Sequence, residues 1–154
     1  QYPVMKRILA TASILFATTA MWPPASTADQ PDVDPAIASG AAAKQFSAAR
    51  AKWLGAGIND YRFSISASCY FIPSGDVLVT VRGRKKIASN PDWYGPRSVP
   101  ALFKVVHTGI AGQAASLVVR YDRTTGRPRF ISIDRSRQIA DEEIVYTVKA
   151  FRRL

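Results

Sequence analysis

The side chains best suited to chemistry are few. Cys69 is the single cysteine and His107 the single histidine. A Cys–His dyad can be written from them, but Cys69 falls on the apolar parity of a strand pattern with no pKa-lowering neighbour in view. The thiol reads as a structural buried group that packs as a small hydrophobe, with an intermolecular or regulatory thiol as the other option. A metal at His107 would need carboxylates or Cys69 to complete it, and no ligand-spaced cluster is present. Asp141, Glu142 and Glu143, with Asp134, supply oxygen ligands but lack the glycine-punctuated loop of a calcium site. They read as a solvated turn pairing with nearby arginines. Hydrolysis by paired carboxylates needs two acids facing one cleft. No P-loop, glycine-rich nucleotide turn or serine elbow occurs. The sequence therefore assigns no catalytic, cofactor-binding or metal residue.

Basic residues are what remains. Arg62, Arg82 and Arg120 fall on the polar parity of three different strands, beside Ser64, Thr80 and Tyr70. On one exposed sheet face they would form an anion- or partner-binding surface, since the flat guanidinium fork suits bidentate contact with carboxylate or phosphate. Strand arginines also cover a sheet with their stems, so plain surface is the competing reading. Arg84, Lys85 and Lys86 at one turn, with Arg152 and Arg153, add charge.

The elements that must position these groups follow from periodicity. Tyr61, Phe63, Ile65, Ala67, Cys69 and Phe71 alternate with Arg62, Ser64, Ser66, Ser68 and Tyr70, a long period-two strand. Pro73 to Asp76 turns the chain into a second strand, Val77 to Arg82, and a short third strand lies near Ile87. A helix is expected from about Pro35 to Leu54, with Phe46, Ala49, Trp53 and Leu54 on one apolar face. A second begins at Ser98, a capping residue, with Pro100 in its first turn. Its stripe is Val99, Leu102, Phe103, Val106 and Ile110, with His107 at the edge. Strands are then expected at Ser116–Asp122, Arg129–Asp134 and Glu142–Phe151. Thr125 and Gly126 turn the first pair, Gly126 in a left-handed conformation. The fold class is α+β: two helix-then-three-strand passes giving an antiparallel sheet with helices packed on one face. One continuous sheet and two packed halves both satisfy this pattern.

Ahead of the fold, Lys6 and Arg7 precede an apolar run from Ile8 to Met21, and Ser26, Thr27 and Ala28 are small. This is the pattern of a secretory signal peptide cut after Ala28. The run is shorter than the roughly 20 residues a bilayer requires, and Trp22, Pro23 and Pro24 end it. The expected organisation is residues 1–28 as signal peptide, 29–36 as a flexible lead and 37–154 as one α+β domain. Location is periplasmic or secreted. The chain has 21 Lys and Arg against 11 Asp and Glu. Removing Lys6 and Arg7 leaves a net charge of +8, which favours anionic partners or serves only to solvate the surface.

The segments W-L-G-A-G-I-N-D-Y-R-F-S-I-S-A-S-C from Trp53, V-L-V-T-V-R-G from Val77, V-V-R-Y-D-R-T-T-G-R-P from Val118, I-S-I-D from Ile131 and D-E-E-I-V-Y-T-V from Asp141 resemble the bacterial exported family called domain of unknown function 6174. The helix-and-sheet pass is also similar, more weakly, to PepSY-like and β-lactamase-inhibitor-protein-like modules. Relatives in the resembled family usually carry a second cysteine two residues after the first, where this chain has Phe71. Their acidic loop before the last strand is altered here by Arg135 and Arg137. The resemblance implies a fold and an exported location, and no activity. The leading expectation is a non-catalytic module, without cofactor, binding an unknown protein or an anionic envelope component through Arg62, Arg82 and Arg120, with no specific nucleic-acid partner. The alternative is a carboxylate-dependent hydrolase with a helix–sheet cleft.

Overall fold

The computed structural model describes residues 32–68, 75–139 and 142–154. The signal-peptide pattern, Cys69, Tyr70 and Asp141 lie outside the described residues. Helix α1 spans Pro35–Ala38 and α2 Ala41–Gly55; strands β1 (Tyr61–Ser68), β2 (Val77–Arg82) and β3 (Lys85–Ala88) follow. Helix α3 is Val99–Ala111, and β4 (Ser116–Tyr121), β5 (Pro128–Asp134) and β6 (Ile144–Arg153) close the chain. Among the described residues the strands form a single six-stranded sheet in the order β3-β2-β1-β6-β5-β4, each described pair antiparallel. The fold is α+β, and the two passes share one continuous sheet. They meet through β1 and β6, so both passes cross the sheet in the same order, with the last strand of the second against the first strand of the first.

The expected single first helix is two. Gly40 takes φ +75° and the chain restarts after it. The domain also begins before residue 37. Asp34 caps α1 by accepting from the Ala36 N–H at 2.7 Å, and its other carboxylate oxygen accepts from the Leu117 N–H at 2.9 Å. Its own N–H donates to the Ala114 carbonyl at 2.9 Å. The end of the expected flexible lead is thus stitched to the start of β4.

Alternation decides which sheet face is covered. Tyr61, Phe63, Ile65 and Ala67 of β1, Val77, Val79 and Val81 of β2, Ile131 and Ile133 of β5, and Tyr146 and Val148 of β6 are buried. Above them lie Val99, Leu102, Phe103 and Val106 of α3, so the predicted stripe is the packed face. Helix α2 contributes only Ala49 and Trp53 as buried residues. Leu54, expected on its packed stripe, is 60 % exposed, because the helix rests on its neighbours along a narrow line. Trp53 meets Tyr61 edge-on at 5.5 Å and Phe151 at 6.0 Å, which fixes the end of α2 over the β1–β6 seam. The buried Tyr61 hydroxyl accepts from the Val99 N–H at 2.9 Å, and Ser98 Oγ accepts from the Ala101 N–H at 3.2 Å. Two of the unpaired donors at the start of α3 are satisfied in this way.

Candidate functional site: the open face of the sheet

Among the described residues no helix covers the opposite face. Register places Arg62 opposite Thr80 on β2 and opposite Arg152 on β6. Arg82 lies opposite Lys85 of β3. Ser64 faces Lys149, Ser66 faces Thr147, Thr147 faces Phe130, and Phe130 faces Arg120. The three arginines singled out from sequence therefore share one face of one sheet. They do not converge. From Arg62 to Arg120 is three strand spacings across and four residues along, on the order of 20 Å.

Two cationic clusters result. The first comprises Arg62, Arg152, Arg82 and Lys85, in which like charges sit directly opposite on neighbouring strands. Such pairs cost stability. Among the described residues none of the four lies within ion-pair distance of a carboxylate. The second surrounds a depression of about 500 Å³ whose lining includes Arg120, Arg129, Phe130, Thr147 and Lys149. The Arg120 guanidinium lies 4.9 Å from the centre of the Phe130 ring, which holds it over the sheet. Lys149 Nζ pairs with Asp76 at 3.3 Å, both side chains more than half exposed, so the pair is weak.

A bulge in β6 carries Arg152 into the first cluster. Register shifts between Arg62 and Ser64, because Arg62 faces Arg152 while Ser64 faces Lys149. Ala150, at φ +46°, takes up the extra residue. Without it, positions three apart would point to opposite faces; with it, Lys149 and Arg152 both reach the open face, while Val148 is buried and Phe151 packs on the core.

Sequence reasoning missed Arg129, Lys149 and Arg152 as members of the face. Arg129 and Arg152 had no strand-parity signal, since a bulge between Arg120 and Tyr121 and the one at Ala150 break the alternation, whereas Lys149 keeps regular parity with Thr147. It also missed Arg127. This side chain is buried, pairs with Asp122 at 3.6 Å and lies 4.5 Å from the centre of the Phe151 ring. Burial pulls its pKa down against the opposing charge of Asp122. Burial alone would raise Asp122, but donation from the N–H and hydroxyl of Thr125, with Arg127 alongside, brings its carboxyl below the ordinary value. The Asp122–Arg127 turn is a structural clasp.

A separate cleft of about 310 Å³ lies between α3 and the β5–β6 end, with Val105, Ile133, Ile144 and Tyr146 as apolar lining and Lys104, Arg135 and Glu142 as charged lining. Glu142 is its one carboxylate among the described lining residues, so the two facing acids needed for hydrolysis are not both described. His107 is exposed and lies 5.8 Å from Phe46, ring to ring. Among the described residues no group of three or more His, Cys, Asp or Glu side chains could hold a metal ion. None of their helices is long and apolar enough to cross a membrane.

The model of a family of unknown function, DUF6174, matches residues 45–153, and the chain belongs to that family. The match spans α2 to the end of β6 and so includes both cationic clusters. No curated protein and no solved structure matches the chain.

Proposed function

We propose that this protein is an exported, non-catalytic binding module whose open sheet face captures an anionic component of the cell envelope or an acidic partner protein. Export rests on the basic residues, short apolar run and small-residue site of residues 6–28. The observation that carries binding is the collection of cations on the uncovered face, with Arg62 opposite Arg152 and Arg82 opposite Lys85 and no carboxylate in ion-pair reach among the described residues. A surface evolved only for solubility gains nothing from like charges placed directly across strands, whereas an anion bound between them removes the repulsion. The depression beside Phe130 adds a recessed position where Arg120, Arg129 and Lys149 surround a ligand and Thr147 offers a hydroxyl.

The test is capture of binding material from a cell-envelope fraction by the immobilised protein at low and high salt. Capture is expected to fall as salt rises. It is also expected to drop when either Arg62, Arg82 and Arg152 or Arg120, Arg129 and Lys149 are replaced together by Ser. Unchanged capture by both triple variants would sink the proposal.

A further inference from the structure

The helical side of the molecule carries a second feature that the open face does not use. Between α2 and α3 runs a groove of about 510 Å³ floored by Phe46, Trp53, Leu54 and Phe103. A neighbouring groove of about 540 Å³ shares Trp53, Leu54 and Pro100 with it and continues past Ile58 to Arg84 and Lys86. Leu54 is 60 % exposed and Phe46 only half-buried, so the floor presents apolar surface to water. The charged residues along the grooves are all basic. Arg50 stands on the α2 wall, Lys104 and His107 stand on the α3 wall, and no described lining residue of either groove is acidic.

We propose that this groove receives an acidic amphipathic helix: a helical segment of another protein with an apolar face seated on Phe46, Trp53, Leu54 and Phe103 and carboxylates flanking that face. Helix-in-groove recognition reads anchors at i, i+3 or i+4 and i+7. The walls match that repeat. Arg50 lies one turn after the apolar Phe46 on α2, and His107 lies one turn after Lys104 on α3, so polar groups recur about 5 Å from their neighbours along the α3 wall and a cation follows an apolar anchor by one turn along the α2 wall. A single-headed amphiphile would use cations at one end only, whereas these are spread from Arg50 to Arg84 and Lys86. A flat bilayer does not enter a concave groove between helices. A second copy of this chain would bring its own Arg50 and Lys104 against the same cations.

The test uses two capped peptides of about 14 residues with identical leucine faces, one flanked by Glu and one by Lys, each carrying a dye for anisotropy titration against the purified protein. The Glu-flanked peptide is expected to bind and to shift Trp53 emission. Exchanging Arg50→Glu and Lys104→Glu together is expected to weaken that peptide by on the order of tenfold and strengthen the Lys-flanked one. Leu54→Ser, at an exposed position that folding does not depend on, is expected to weaken the Glu-flanked peptide without changing the circular dichroism spectrum. Replacing Arg120, Arg129 and Lys149 by Ser leaves peptide affinity unchanged, which separates this groove from the open-face proposal. Equal binding of both peptides, indifference to Leu54→Ser, anionic vesicles binding in place of the peptide, self-association through the groove, or peptide binding only after removal of residues 1–28 would each overturn the inference.

Discussion

Tyr61 joins the sheet to α3 through one hydroxyl. It is 2 % exposed and satisfies the Val99 N–H, a donor with no intrahelical partner. Tyr61→Phe keeps the ring among Trp53, Phe63 and Phe151 but strands that N–H, and is expected to cost about 1–2 kcal/mol in a denaturant titration. A change within error would mean that the donor finds another acceptor. Asp122 gives a second test at this scale. Its folded-state pKa lies below the ordinary carboxylate value, so its contribution is whole above about pH 4 and disappears as pH falls through the lowered value. Asp122→Asn is expected to lower the melting temperature at neutral pH, with the gap to the wild type closing as pH falls below 4. A gap unchanged down to about pH 2 would contradict the clasp.

At the scale of elements, two irregularities hold the candidate face and the helices in place. The β4–β5 turn grips α2: Gly126 sits at φ +77°, and a Cβ there would overlap the Ala49 carbonyl oxygen and press on Lys52 Cβ at 3.0 Å. Lys52 Nζ donates to the Arg123 carbonyl at 2.9 Å beside it. Gly126→Ala is expected to cost more than about 2 kcal/mol, through both the left-handed backbone and the clash. Helix α2, which buries only two residues where α3 buries five, is expected to lose hydrogen-exchange protection before α3. Ala150 reports on the bulge in the opposite sense. It is an alanine at positive φ, so Ala150→Gly is expected to hold or raise stability by up to about 1 kcal/mol, where the same change in a regular strand lowers it. Deleting Ala150 removes the extra residue and leaves Lys149 and Arg152 two positions apart on a regular strand, so Arg152 is expected to stay on the open face opposite Arg62.

For the whole molecule, the alternation of β1 and β2 and the stripe of α3 made the fold class and the covered face legible, because burial on one side imposes a period that survives in sequence. The Ser98 cap and the left-handed Gly126 were legible for the same local reason. Strand order was not, since nothing in period-two alternation says whether β4 or β6 lies against β1. The candidate face was legible only where parity holds. Arg62, Arg82 and Arg120 could be assigned to it, and Lys149 was open to the same assignment, while the bulges at Ala150 and after Arg120 concealed Arg152 and Arg129. The proposed export is likewise a matter for the whole chain, and N-terminal sequencing of the protein recovered from its native compartment is expected to begin at Asp29. A mature protein that retains residues 6–28 would contradict it.

The most direct measurement of the open-face account is the salt concentration at which the protein elutes from immobilised polyphosphate, compared between two variants of equal charge loss. One replaces Arg120, Arg129 and Lys149 by Ser; the other replaces Lys44, Arg123 and Arg137, none of which lines the depression or belongs to the first cluster. The account predicts that the first variant elutes at clearly lower salt while the second stays near the wild type. Equal shifts in the two would mean that net charge alone holds the ligand, and would contradict a binding site on the open face.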